Sequence, residues 1–291
     1  MASAEIRVLT LGEVEKLVDW AADEGWNPGS EDAAAFRAVD PQGFIGCLVD
    51  GRLAAGISAV SYGGFGFIGL YICHPDFRGR GLGRQVWDAG MEHLGDAVIG
   101  LDGVVEQQEN YGRMGFIPHY RTFRWSGRWS GRWSGAGTGA NSGVETNVSR
   151  AGPNDAAEIV AFDRRFFPVA RGSFLQAWLG APREVMISRK DGHHVGDVDG
   201  YAVLRPCVDG YKIGPLFASS ETVAIALLDA CLDRLAGAAV HVDVPEYQQA
   251  FSVHLAACGF KRGFMTARMY RGAPPAVEAD GVFAITTLEL G

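Results

Sequence analysis

Residues 69–94 read GLYICHPDFRGRGLGRQVWDAGMEHL, and the order of residue types in this stretch decides the fold. An apolar run over 65–73 reads as a strand, and it stops at Pro75, which has no amide hydrogen to give a sheet ladder. The turn Arg78-Gly79-Arg80-Gly81-Leu82-Gly83-Arg84 follows, and Leu82, Val86, Ala89 and His93 or Leu94 recur at helical spacing. The first turn of a helix carries unpartnered amide hydrogens and the positive end of the macrodipole, so it attracts an anion. Glycines there let the anion approach the backbone, and arginines offer fork-shaped donors to phosphate oxygens. The stretch predicts a pyrophosphate site.

The pattern Arg-x-x-Gly-x-Gly, standing as Arg78, Gly81 and Gly83 after a strand that ends in x-Pro, resembles the acyl-CoA signature of the GNAT superfamily of N-acyltransferases. A dinucleotide-binding fold would place its glycines directly after the strand and an acidic residue about 20 positions on. Asp102 lies near that distance, but Pro75, the arginine cluster and the Tyr-Gly-Arg-Met-Gly-Phe stretch at 111–116 do not fit such a fold. The resemblance implies an α+β fold with a mixed, mostly antiparallel sheet flanked by helices. It also implies acetyl-CoA as cosubstrate, no metal, and direct transfer of the acetyl group to a primary amine.

Several site residues follow from the resemblance. The backbone of Tyr71, Ile72 and Cys73 is expected to pair with the pantetheine arm, and Arg78, Gly79, Arg80, Gly81, Leu82, Gly83 and Arg84 to hold the pyrophosphate. Tyr111 stands four residues before Gly115-Phe116, where many members of the family keep a tyrosine that protonates the departing thiolate. Its unperturbed pKa of about 10 suits a proton donor at neutral pH. The segment joining the first two helices lines the acceptor pocket in this family. Trp20, Asp23 and Trp26 are therefore the candidates for holding an ammonium group, by charge and by cation–π contact. Glu24 is the candidate base, with Asp19 and Glu106 as alternatives by position; no motif separates them.

Composition bounds the rest. The 291 residues allow two domains of ordinary size, and 47% hydrophobic with 21% charged residues is a globular composition. No apolar run approaches the roughly 18 residues of a membrane span, and the N-terminus has neither the basic start nor the apolar core of a signal peptide. A cytoplasmic location is the expectation, with no membrane partner. A net charge of −8 disfavours nucleic acid and suits a protein that binds a cationic substrate. The five cysteines form no Cys-x-x-Cys pair and read as reduced core residues, and His193-His194 reads as part of a surface turn.

Along the chain, a strand over 5–9 leads to Thr10, which with Glu13 forms a capping-box pattern, and Ser30 reads as the cap of a second helix. An antiparallel meander runs from residue 43 to 73 with turns at Asp50-Gly51 and Gly63-Gly64. After the helix of the quoted stretch come a short strand at 97–101, a helix at 106–114 and a strand at 116–124. Residues 124–135 are three copies of Arg-Trp-Ser-Gly, a period too short for a packing repeat, followed by a Gly-rich run to 143. From 145 the same plan recurs in weaker form, and Ala-Cys-Gly-Phe at 257–260 mirrors Arg-Met-Gly-Phe at 113–116.

The second copy lacks Arg-x-x-Gly-x-Gly at 214–220, and Leu255 stands where Tyr111 stands in the first. The expected organisation is a GNAT domain over 1–125, a repeat and linker over 126–143, and a degenerate GNAT-like domain over 144–291. The expected function is an acetyl-CoA-dependent N-acetyltransferase acting on a small-molecule amine, as a monomer or homodimer. A noncatalytic acyl-CoA-binding protein and a protein-lysine acetyltransferase are the alternatives.

Overall fold

A computed structural model describes residues 4–129, 147–190, 198–235 and 237–291. His193-His194 and the second half of the Arg-Trp-Ser-Gly repeat, residues 130–135, lie outside the described residues. The first half runs β1 (Ala4–Val8), α1 (Leu11–Asp23), α2 (Asp32–Val39), β2 (Phe44–Val49), β3 (Arg52–Ser61), β4 (Phe65–Cys73), α3 (Leu82–Leu94), β5 (Val98–Val104), α4 (Gln108–Arg113) and β6 (Ile117–Arg128). The second half repeats this order as β7 (Asn147–Arg150), α5 (Ala156–Asp163), α6 (Gly172–Trp178), β8 (Glu184–Arg189), β9 (Val198–Pro206), β10 (Tyr211–Ala218), α7 (Glu221–Leu232), β11 (Ala239–Pro245), α8 (Gln249–Ala257) and β12 (Lys261–Arg271). A further strand, β13 (Val282–Ala284), closes the chain's β content.

Local chemistry explains the punctuation. Glu13 reaches back to the Thr10 amide at 2.9 Å, fixing the start of α1. Ser30 is not the cap of α2; that position falls to Glu31. Gly115 and Gly259 sit at φ 89° and 86°, the left-handed conformation in which a helix ends cheaply only at glycine. In both copies the amide after that glycine, Phe116 or Phe260, bonds at 3.0 Å to the carbonyl of Tyr111 or Leu255. The mirrored motif is thus a shared helix stop.

The described strands form one sheet in the order β1-β2-β3-β4-β5-β12-β6-β11-β10-β9-β8-β7, with β13 beside β10. The two halves exchange their last strands. Strand β12 pairs antiparallel with β5, Thr266 opposite Val104, and β6 pairs antiparallel with β11, Trp125 opposite Val242. The sheet therefore runs across the expected division at residue 125. The linker expected from residue 126 begins later, because β6 continues to Arg128 and Trp129 packs in the second half's core beside Trp125. The first copy of Arg-Trp-Ser-Gly is a core strand.

Helices α3 and α4 cover one face of the first half around Val86, Trp87 and Phe116, and α7 and α8 cover the matching face of the second. On the opposite face α1, α2, α5 and α6 share one core. Phe36 of α2 stacks on Trp178 of α6 with ring centroids 6.0 Å apart. Side chains of this kind contribute about 2 to 3 kcal/mol each when fully buried. Buried ion pairs stitch the exchange: Arg124 of β6 grips Asp243 of β11 at 2.7 and 2.9 Å, and Arg268 of β12 grips Asp102 of β5 at 2.9 and 2.8 Å. Arg183 and Arg205 converge on Asp32 of α2.

Two outcomes follow from this construction. Residues 4–129 and 147–291 made as separate chains should each lack a cooperative melt, because each sheet is missing its interior final strand, and should fold only when mixed. Burial raises the Asp243 carboxyl, but Arg124 and then Lys212 outweigh it and bring the group down to about 2 from 3.8. The pair then contributes about 2 kcal/mol that is present above pH 4 and lost as pH falls toward 2. Urea titrations across that range should show the loss in the native chain and not in Asp243→Asn, whose stability is already lower at pH 7.

Candidate functional site

Strands β4 and β5 run parallel and pair only from Phe65 opposite Val98 to Ile68 opposite Leu101, after which they part. A bulge starts the parting. Gly56 faces Ile72 and Ser58 faces Gly69 across β3, so Leu70 and Tyr71 together oppose the single residue Ile57. Leu70 holds φ 46°, a strained value for a branched side chain, and such strain concentrates at functional sites. A bulge leaves one residue outside the ladder, which frees a backbone amide at the mouth of the opening. Strand β12 keeps β5 in place from its other side.

The opening holds a cavity of about 70 Å³ between Gly69–Tyr71 on one wall and Leu101, Asp102 and Val104 on the other. Tyr111 closes it from α4, Trp26 from the turn after α1, and Phe264 and Thr266 from β12. Tyr111 is almost fully buried, stacked on Trp87 at 5.7 Å and edge-on to Phe116. Burial pushes its hydroxyl well above the usual tyrosine range, and Tyr71 adds to the effect, so the group stays protonated at any physiological pH. Burial likewise raises the Asp102 carboxyl against the pull of Arg268.

The loop predicted to bind an anion leads from β4 into α3. Gly79 and Gly81 hold φ 77° and 75°, and Gly81 occupies the cap position of α3, which has no side-chain cap of its own. The exposed first turn of α3 is thus open to an external acceptor for its amide hydrogens. Gly83 is needed for a different reason: a Cβ there would stand 3.1 Å from the Tyr71 hydroxyl. The arginine heads are engaged locally. Arg78 bonds the Cys73 carbonyl at 2.9 Å and pairs with Glu24; Arg80 lies over the Phe77 ring at 5.3 Å, and Arg84 pairs with Asp88 at 2.7 Å. The Cys73 carbonyl is therefore occupied, whereas the bulge residues are not so engaged.

The second half opens in the same place and is filled. Strands β10 and β11 pair only from Tyr211 opposite Val240 to Ile213 opposite Val242, and a bulge sets Gly214 and Pro215 against Val203. Pro215 has no amide hydrogen to offer a carbonyl. Strand β13 pairs with β10 beyond the bulge, and the Ile285 amide bonds the Asp243 carbonyl of β11 at 3.0 Å, so the chain itself bridges the gap. Helix α7 is capped by the Ser220 hydroxyl, 3.3 Å from the Val223 amide, and carries Glu221 in its first turn, which repels an anion.

The other predicted residues divide. Trp26 lines the cavity, and its carbonyl accepts from Arg124 at 2.8 Å and Lys212 at 3.0 Å. Burial, reinforced by Arg124, lowers the Lys212 ammonium to about 8. Trp20 packs instead against His74 at 5.2 Å, and Asp23, like Asp19 and Glu106, is exposed and outside the cavity. Glu24 also lies outside it, because its pairing with Arg78 holds it at the anion loop, 54 residues along the chain. The acidic residue missed by sequence reasoning is Glu289, which lines the cavity from a segment no motif marked. Among the described residues no group of three metal-ligating side chains occurs, and no helix is long and apolar enough to cross a membrane.

Known proteins share these features. The Acetyltransferase (GNAT) family pattern matches residues 11–116, and an Acetyltransferase (GNAT) domain pattern matches residues 159–284. The holothin acyltransferase of Pseudoalteromonas sp. (strain SANK 73390) is 32% identical over 286 residues, covering 97% of this chain and 92% of that protein. Among solved structures, a Pyrococcus horikoshii protein provisionally described as an acetyltransferase superposes with a TM-score of 0.79 at 20% identity, over 99% of this chain and 96% of that one. A tandem GNAT protein from the clavulanic acid biosynthesis pathway gives 0.64 at 14% identity, over 94% of this chain and all of that one, 100%. The chain belongs to the GNAT family of acyltransferases and carries two GNAT domains in tandem.

Proposed function

We propose that the protein transfers an acetyl group from acetyl-CoA to the primary amine of a small molecule, at the opening between β4 and β5 alone. The observation that carries this reading is the asymmetry of the two openings. One is lined by a bulge and a buried protonated tyrosine, and its half has an uncapped glycine-rich helix start; the other is bridged by β13, and its helix α7 is capped by Ser220. A cavity of about 70 Å³ takes a few water-sized groups, which suits a two-carbon acyl chain. The segment at Glu289 to Gly291 lies against Gly69 and Phe67 of β4 and is buried, so the acceptor approaches through a confined space, which favours a small amine over a protein lysine. The name of the holothin acyltransferase agrees with acyl transfer to a discrete compound.

The chain's residues divide the work as follows. The open amides at the start of α3 receive the pyrophosphate, with the positive end of the helix dipole behind them. The bulge at Leu70-Tyr71 offers an amide to the thioester carbonyl, stabilising the oxyanion as the amine adds. A C–N bond forms, the C–S bond breaks, and the Tyr111 hydroxyl gives its proton to the departing sulfur. An acceptor that arrives as ammonium first gives its extra proton to solvent and adds as the free amine; the proton shed by the new amide nitrogen then restores the tyrosine. Burial keeps the Tyr111 hydroxyl protonated and also makes it a weaker acid, so its proton moves only as the C–S bond breaks and charge builds on the sulfur in the same buried site.

Two variants test the reading, with amine-dependent release of free CoA as the assay. Tyr111→Phe should lower turnover roughly 10 to 1,000 fold while acetyl-CoA affinity changes less than about twofold, the usual scale of a lost acid; unchanged turnover removes the tyrosine from the mechanism. Gly81→Glu places a strained φ and a carboxylate at the anion site, and should abolish acetyl-CoA binding in a calorimetric titration. Binding retained there would refute the loop assignment.

A further inference from the structure

We infer that Glu289 is the carboxylate that receives the acceptor's ammonium group. This inference rests on the proposed acyl transfer for the identity of the site. Residues 285–291 leave β13, cross from the second half to the first and press against β4 at Gly69. A Cβ on Gly69 would stand 2.3 Å from the Glu289 carbonyl oxygen, so only glycine lets the segment come this close. Three hydrogen bonds tie the segment down. The Thr287 hydroxyl accepts from the Leu290 amide at 2.9 Å, Tyr62 donates to the Leu290 carbonyl at 3.1 Å, and Arg171 donates to the Thr286 hydroxyl at 2.9 Å.

This frame holds a buried side chain whose carboxylate makes no hydrogen bond within the protein. Glu289 is 2% exposed, lines the cavity of the first opening, and neither of its carboxylate oxygens has a hydrogen-bond partner. A buried carboxylate without donors is costly, and proteins keep such groups where a ligand completes them. Arg124, Arg205 and Lys212 lie within electrostatic reach and offset part of that cost. Each directs hydrogen bonds elsewhere: Arg124 to Asp243, Arg205 to Asp32, and Lys212 to the Trp26 carbonyl. The lone pairs of Glu289 are left for a donor that comes from outside. The cavity wall around it, Trp26, Leu101, Phe264 and Leu288, is apolar and suits the carbon body of a small alkylamine.

The second half therefore completes the first half's site through its own final segment. The same stretch of chain that bridges the second opening delivers the acceptor's partner to the first. Such a role explains why the tandem copy is kept although its own opening is filled.

The test uses the full chain, without acetyl-CoA, and two probes of similar size, propylammonium chloride and 1-propanol, titrated at pH 7 by ligand-observed NMR. The native protein should bind propylammonium at least tenfold more tightly than propanol. Glu289→Gln should remove that preference and leave propanol binding within twofold, and Glu289→Asp should retain part of it. No preference in the native protein, or a preference that survives Glu289→Gln, overturns the inference. If Glu289→Gln fails to fold, the native comparison together with Glu289→Asp decides. Ammonium binding through Glu289 in a protein that never releases CoA would refute the acetyl-transfer reading alone, whereas turnover with amines and no ammonium preference would refute the role of Glu289 alone.

Discussion

A parallel pair of strands that stops pairing after four residues organises this molecule. Beyond Ile68 and Leu101 the backbone groups of β4 and β5 can no longer satisfy each other, and something must enter the gap. In the first half that space is a cavity walled by Tyr111, Asp102 and Trp26; in the second, β13 and Ile285 supply the missing partners. One geometric device, made twice, is left open once and closed once. The filled copy stabilises its own sheet with bonds that an open copy must reserve for a ligand.

The exchange of final strands makes this asymmetry durable. Because β12 flanks β5 and β6 flanks β11, neither opening can change width without moving a strand that belongs to the other half. The buried pairs Arg268–Asp102 and Arg124–Asp243 fix that arrangement, since separating either would strand a charge in the core. Polar side chains at the junction thereby set geometry as well as stability. The packing of Phe36 on Trp178 and the shared core around it supply the apolar cohesion.

Much of this was legible in the residues. Strand, glycine loop and helix at 65–94 announce themselves locally, because a proline, two left-handed glycines and a helical apolar stripe act within a few positions. The helix stops at Gly115 and Gly259 are equally local, and so is the position of Tyr111 relative to the first of them. The strand exchange was not legible: nothing in the residues of β6 or β12 names the neighbour each pairs with, and the pairing joins positions far apart in the chain. The destination of Glu24 and the role of Glu289 were hidden for the same reason. Arg78 captures the first from 54 positions away, and the second reaches β4 from the far end of the chain, where nothing in Thr286-Thr287-Leu288-Glu289-Leu290 signals a destination.

The central claim is that one opening of two is available to acyl-CoA, and stoichiometry tests it most directly. Acetyl-CoA titrated calorimetrically into the intact chain should saturate at one molecule per protein. Two equivalents bound would mean that β13 does not close the second opening, and none would mean that the first is not a CoA site.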